Sequence, residues 1–242
     1  MNVAIVALGG SSQEYVMTRI NSHKFDEVWG INSIGAIFNV DRTFMMDPAS
    51  RFLDGIKAGK QTGIAQEFLL KTPNKGPIYS CCKDERVPEI ELYPLDKVVK
   101  KAGHAYFNNT VAYALAYAIY KEVESINLYG IDFSYKENIN FAEAGRACCE
   151  FWCAIALSKG IKVNVASTSG FMDTNVPVNE KLYGYHRLED PLVQVIQDGK
   201  LIVMPESEYE KELQEELRPP EPLDGKEPVL IGKHDIPGVT YV

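Results

Sequence analysis

The sequence predicts an α/β fold: a doubly wound, mostly parallel sheet followed by a C-terminal helical and extended arm. Three observations predict it. The first apolar run (NVAIVAL) is short and continuous, without the polar alternation of a half-exposed strand, which is consistent with a buried parallel strand. Helical patterns separate the strand-like runs, the βαβ rhythm of a parallel sheet. With 242 residues, 45% of them hydrophobic, the chain can bury the sizeable core of one large domain with an appendage.

Residues 2–8 form the first strand, and 9–12 (GGSS) the turn after it. Residues 13–21 follow as a helix, with Ser11 or Ser12 as its N-cap. A second strand, 27–32, ends at the polar pair Asn32-Ser33; a third, 42–46, ends in Asp47-Pro48 and leads into a helix over 50–58. Residues 62–70 read as a helix and 77–80 as a short strand. Pro88 and Pro94 break up the stretch over 85–94, and a short helix occupies 95–102. The strongest helix signal is 108–123, opened by Asn108-Asn109-Thr110 and built of small and aromatic residues. It runs into a strand over 125–129 and then Gly130-Ile131-Asp132-Phe133. The longest helix, 141–159, and a strand over 161–166 bring the parallel strands to about six.

Beyond residue 167 the rhythm stops. Residues 167–192 read as a long loop or short helices carrying Tyr183, Tyr185 and His186, a small strand is expected at 201–204 after a hairpin-like DGK turn, and a highly charged helix at 206–217. Proline and charge dominate the rest, an extended tail. The predicted organisation is therefore a nucleotide-binding domain over 1–170, an active-site loop or lid over 171–204, and a charged helix with an extended arm over 205–242.

Composition narrows the function classes. A net charge of −8 argues against a nucleic-acid magnet, although lysines between 57 and 101 could make a local basic face. Five cysteines, two pairs of them adjacent, make a poor disulfide framework and read as buried, inert thiols in a reducing compartment. Cys149 and Cys153 share one helix face. With no leader pattern at the start and no run of eighteen apolar residues, the reading is a soluble, cytoplasmic protein without a membrane partner.

Ligands of open α/β sheets bind beyond the carboxyl ends of the strands. Those ends are Gly9-Gly10-Ser11-Ser12, Asn32-Ser33, Asp47-Pro48, Gly130-Ile131-Asp132 and the loop after Ala166. The glycine turn has neither the GxGxxG spacing of a dinucleotide fingerprint nor a GKS/GKT P-loop. It is either a tight turn or a phosphate cradle of backbone N–H groups. The Asn32 amide could read a base or ribose, and Asp47 could bind a ribose hydroxyl or simply cap a helix. One of Asn108, Asn109 and Thr110 must cap the helix, leaving the others for a nucleotide. Asp132, set on the sheet's rim by Gly130, is the leading acidic candidate. His186 is the candidate general base, with Tyr183 and Tyr185 placed to stabilise a leaving phosphate or stack on a ring. No DxD pair ends a strand, and neither a GxSxG elbow nor an HExxH zinc motif occurs, so no metal site is expected.

In order, ALGGSSQ, VWGIN, NNTVAYALAYAIY and INLYGIDF resemble the bacterial sialyltransferases of metal-independent, GT-A-like, Rossmann-like fold. They also resemble a related domain that includes motility-accessory glycosyltransferases and 6-hydroxymethylpterin diphosphokinases. The likeness covers roughly residues 1–170, and DEVWGIN with DRTFMMD also looks like phage proteins. The resemblance implies a nucleotide site lined by Ser11, Ser12, Asn32, Asn109, Thr110, Gly130 and Asp132, with a downstream histidine as base. In those enzymes an asparagine of the first turn contacts the nucleotide, where this chain has Gly10-Ser11. The expectation is a glycosyltransferase that needs no cofactor, takes a nucleotide-sugar as substrate and acts on a glycan or a modified DNA base. The alternatives are Mg²⁺-dependent phosphoryl transfer of the pterin diphosphokinase type, or a nucleotide-binding assembly protein that self-associates through its C-terminal arm.

Overall fold

The computed structural model describes residues 1–55, 62–72, 76–134, 138–184, 190 and 192–216. They fall into two compact units, Met1–Lys181 and a smaller one beginning at Leu182.

The first unit is built on a seven-stranded, all-parallel sheet, in the order β5-β4-β3-β2-β1-β6-β7. The strands are β1 (Asn2–Val6), β2 (Glu27–Ile31), β3 (Arg42–Phe44), β4 (Ile78–Ser80), β5 (Ile90–Leu92), β6 (Ser125–Tyr129) and β7 (Lys162–Val165). The chain steps outward from β1 to β5, then returns to lay β6 against the other side of β1. The strand order reverses between β1 and β6, which is where a doubly wound sheet opens a crevice.

Both faces are covered, which is why β1 and β2 read as nearly unbroken apolar runs. Val3, Ile5, Trp29 and Phe44 point into one core layer, shared with residues of α4 (Leu95–Ala102), α5 (Thr110–Tyr120) and α6 (Ile139–Ser158). Ala4, Val6 and Val28 point the opposite way, against Tyr15 of α1 (Ser12–Ile20). Farther along that face, α2 (Ala49–Leu53) and α3 (Thr62–Lys71) pack Phe52, Phe68 and Leu69 over Ile78 and Ile90. In α5, Ala112, Ala114, Ala116 and Ala118 are completely buried, so the helix is apolar nearly all round because it is enclosed nearly all round.

The sheet has one strand more than the sequence pattern predicts. β5 is three residues long, between Pro88 and Pro94, and pairs at the sheet's edge, where flanking prolines interrupt no ladder. In the second unit, β8 (Leu192–Gln197) and β9 (Lys200–Pro205) form an antiparallel hairpin, followed by α7 (Glu206–Glu216). β8 therefore begins where the expected loop ends and fills a stretch ahead of the DGK turn for which the sequence pattern predicts no element. Asp198 and Gly199 both take positive φ (51° and 75°), the conformation a two-residue hairpin turn requires. No helix among the described residues is long and apolar enough to cross a membrane.

Candidate functional site

The turn after β1 is held from within the protein. The Gly9 N–H donates to the Gly130 carbonyl (2.8 Å), and the Ser11 N–H to Oδ2 of Asp132 (2.9 Å). The Ser11 hydroxyl donates to the other carboxylate oxygen of Asp132 and accepts the Gly130 N–H (2.8 Å). The N–H groups of Ser12 and Gln13 close back on the carbonyls of Gly9 and Gly10. What Gly9–Ser12 grips, then, is the Asp132 carboxylate at the end of the neighbouring strand. The glycines follow from this close approach. A Cβ on Gly9 would lie 2.5 Å from Asp132 Oδ2 and 2.6 Å from the Gly130 carbonyl oxygen, and one on Gly130 (φ 68°) would overlap the Ala7 carbonyl.

Beside this latch opens a cleft of about 770 Å³ over the carboxyl ends of β1, β2, β3 and β6. It brings together Gly9, Asn32, Ser33, Asp47, Asn109, Thr110, Gly130 and Asp132 of the residues predicted from sequence. Gly10, Ser11 and Ser12, in the turn and the start of α1, are not among the residues that line it. Tyr183 belongs to the second unit, where it is 85% exposed. Tyr185 and His186 lie outside the described residues.

Asn32 turns the end of β2 into a 3-10 turn (Asn32–Ala36) and does so in the left-handed region, φ 54°. Asparagine is among the few non-glycine residues that enter that region readily. Its Oδ1 is buried and has no hydrogen-bond partner among the described residues. Ser33 beside it is buried. Asp47 is paired with Arg51, one helical turn on, and its carbonyl accepts from Ser80 Oγ (3.2 Å).

Asn109 caps α5: its Oδ1 accepts the Ala112 N–H (3.0 Å), and its Nδ2 donates to the Gly145 carbonyl (3.1 Å). Its amide is therefore engaged in structure, and Thr110 and Val111 present the open first turn of the helix to the cleft. The lining mixes these amides and hydroxyls with an apolar remainder that includes Met45, Phe52 and Phe107.

Sequence reasoning missed several lining residues. Arg51 supplies a cation and was signalled only by its spacing four residues after Asp47. Tyr113 carries a phenol raised by burial and by neighbouring Cys81 and Cys148, so it remains a neutral hydroxyl. Phe133, next to Asp132, also sits at positive φ (51°), which no local signal announces. Near the same edge of the sheet, Glu14 of α1 holds the loop after β7: its carboxylate accepts from the N–H and hydroxyl of both Ser167 and Thr168. These hydrogen bonds outweigh the cost of partial burial and pull its carboxyl below the usual value. Among the described residues, no three His, Cys, Asp or Glu side chains are grouped to hold a metal ion.

The chain is similar to the sialyltransferase CstII from Campylobacter jejuni in complex with the substrate analogue CMP-3FNeuAc, at 18% identity and a TM-score of 0.44 over 86% of this chain and 97% of that one. It is similar also to the sialyltransferase CST-II in complex with a trisaccharide acceptor and CMP, at 14% identity and a TM-score of 0.42 over 86% and 98%. No family model matches the chain, and no curated protein matches its sequence. At these scores the resemblance is one of outline, and no residue role is carried over from it.

Proposed function

We propose that the cleft binds a nucleotide-sugar and that the protein transfers the sugar to a hydroxyl acceptor without a metal ion. The observation that carries this reading is the Asn32 carboxamide oxygen: buried, without a hydrogen-bond partner among the described residues, and held at a strand end by a left-handed backbone. An unsatisfied buried acceptor costs about 1–3 kcal/mol. Uncommon backbone geometry of this kind gathers where a ligand is held. A ligand offering an N–H or O–H donor, such as a nucleobase amine or a ribose hydroxyl, would satisfy it.

The remaining lining suits the same ligand. Both cleft carboxylates are engaged, Asp47 by Arg51 and Asp132 by Ser11, which leaves neutral amides and hydroxyls facing the base and ribose. The open first turn of α5 favours the phosphate. In the transfer step His186 would take the acceptor proton as the acceptor oxygen bonds to the anomeric carbon. The bond to phosphate would break, with Tyr183 and Tyr185 steadying the leaving nucleotide. CMP-sugars are the first donors to try and a glycan the first acceptor, with a modified DNA base as the second.

The test is a melting-temperature panel of CMP, UDP, GDP and ADP, their sugar conjugates and a pterin, each with and without Mg²⁺. Stabilisation by one nucleotide without metal, lost in Asn32→Ala, is the expected result. Stabilisation only by a pterin with Mg²⁺ would replace this reading with diphosphoryl transfer, and no stabilisation of the folded chain by any ligand would replace it with a structural or assembly role.

A further inference from the structure

Helix α6 buries a stripe of mostly small residues: Ala142, Gly145, Cys148, Cys149 and Cys153, beside Trp152. The expectation of buried thiols holds for these three cysteines, whereas Cys81 and Cys82 after β4 are exposed. Gly145 is the residue in this stripe that needs a reason. It lies in the interior of a 20-residue helix, where glycine is less favourable than alanine. The reason is Phe133. A Cβ on Gly145 would lie 2.8 Å and 3.2 Å from two carbons of the Phe133 ring, inside the about 3.5–4.0 Å of a favourable carbon–carbon contact. The helix thus gives up a side chain where the ring lies.

Phe133 itself sits where its backbone resists. Its φ of 51° is an outlier for so bulky a residue. Such outliers gather at ligand clamps and persist when the surroundings over-determine them. Here Gly145 receives the ring, Phe171 of the loop after β7 packs beside it (5.6 Å between centroids), and the preceding Asp132 is fixed by Ser11. The ring is half-buried, and Phe133 lines the cleft together with Gly145 and Phe141. Phe141 stands one helical turn before Gly145, on the same face of α6, and is 54% exposed. Asn109, the cap of α5, donates to the Gly145 carbonyl (3.1 Å), so these rings adjoin the open first turn that favours a phosphate. On the other side, β1 separates the end of β6 from the end of β2, which carries Asn32. A nucleotide with its base at Asn32 and its phosphate at α5 directs whatever the phosphate carries toward Phe133 and Phe141.

We propose that Phe133 and Phe141 are the platform for the transferred sugar, and that Gly145 sets how deeply the Phe133 ring lies and so the size of the sugar accepted. This rests on the nucleotide-sugar reading of the cleft. A pyranose presents hydroxyls around its rim and C–H groups on its face, and a phenyl face matches the C–H side by apolar contact. The same ring face is negative, so it serves a terminal phosphate poorly. The fit is to a donor ending in a sugar with an open C–H face.

Calorimetry on the full chain tests this with CMP, UDP, GDP and ADP, each bare and as its sugar conjugate. The variants are Phe133→Leu, Phe141→Ala, Gly145→Ala and Phe133→Leu/Gly145→Ala, each first shown by a melting curve to be folded. Phe133→Leu and Gly145→Ala should each weaken the conjugate about tenfold and the bare nucleotide by less than about twofold. Gly145→Ala should cost nothing further beside Phe133→Leu, because the ring it displaces is gone. Phe141→Ala, at an exposed position that folding tolerates, should weaken the conjugate severalfold. Conjugate binding unchanged in both phenylalanine variants, or lost in step with the bare nucleotide, overturns the platform and leaves the nucleotide site standing. So does a wild type that binds a bare nucleotide but none of the conjugates. Additive losses in the double variant overturn the role of Gly145. A wild type that binds neither nucleotide nor conjugate overturns the nucleotide-sugar reading and the platform with it.

Discussion

An Asp132→Ala substitution removes both hydrogen bonds by which the carboxylate holds the turn after β1, from the N–H and the hydroxyl of Ser11. Hydrogen bonds to a charged group contribute about 1.5–3 kcal/mol each when partly buried. The variant should therefore lose roughly 3 kcal/mol of unfolding free energy in urea, counting the shared turn as one cooperative unit. Ser11→Ala should be similarly costly, because the Gly130 N–H would lose its acceptor as well. An unchanged urea midpoint in both variants would show that the latch holds nothing. Any loss of activity in Asp132→Ala has to be read against this structural effect. Asn32 predicts the reverse pattern. Its φ of 54° suits glycine, so Asn32→Gly relieves backbone strain while deleting the buried carboxamide. Stability should stay within about 1 kcal/mol of wild type. Nucleotide affinity measured by calorimetry should fall about tenfold or more, the effect of one lost hydrogen bond at a buried site. A variant that binds as tightly as wild type would remove Asn32 from the site.

Helix α1 and the loop after β7 are joined by Glu14, and that joint is sensitive to pH. The folded carboxyl lies below its ordinary value of 4.5, so its stabilising effect is complete above that value and is lost as pH falls through the lowered one. Because the group is only partly buried, the effect is about 1 kcal/mol. Urea melts of wild type and Glu14→Gln should therefore differ by that amount at neutral pH and converge in acid; a constant gap would show that the charge is not what holds the loop. This latch joins residues 14 and 167–168, and the Asp132 latch joins 11 and 132. Neither has a local sequence signature, because both exist only once non-adjacent elements are packed together. The central strands were legible for the opposite reason: burial on both faces writes an unbroken apolar run into 3–6 and 28–31, and 125–129 alternates its buried Ile126 and Leu128 with half-buried neighbours. β5 escaped because three residues between prolines carry too little pattern, and β8 because LVQVIQ places a polar residue every third position, without the strict alternation of a half-exposed strand. The strand ends were legible as places for a site, since polar residues directly follow buried runs. The sequence did not tell that Asn109 and Asp132 spend their polar atoms on the fold while Oδ1 of Asn32 has no hydrogen-bond partner among the described residues.

The complete sheet and the core layers on both of its faces lie within Met1–Lys181. So does every described residue that lines the cleft. The residues proposed for proton transfer and phosphate departure, Tyr183, Tyr185 and His186, come after that boundary. Binding and catalysis should therefore separate when the chain is ended at Lys181. A unit with its own core melts cooperatively, so the shortened protein should give a single transition by both circular dichroism and fluorescence. It should bind the stabilising nucleotide with the affinity of the full chain and transfer no sugar. Full-length His186→Ala should reproduce the loss of transfer with binding intact, which distinguishes a missing base from a missing acceptor surface. Should the shortened protein fold yet bind no nucleotide, the site must draw on residues beyond 181, and the cleft over the strand ends would be only part of it. Should it both bind and transfer, the base lies within the first unit, and the assignment of His186 fails.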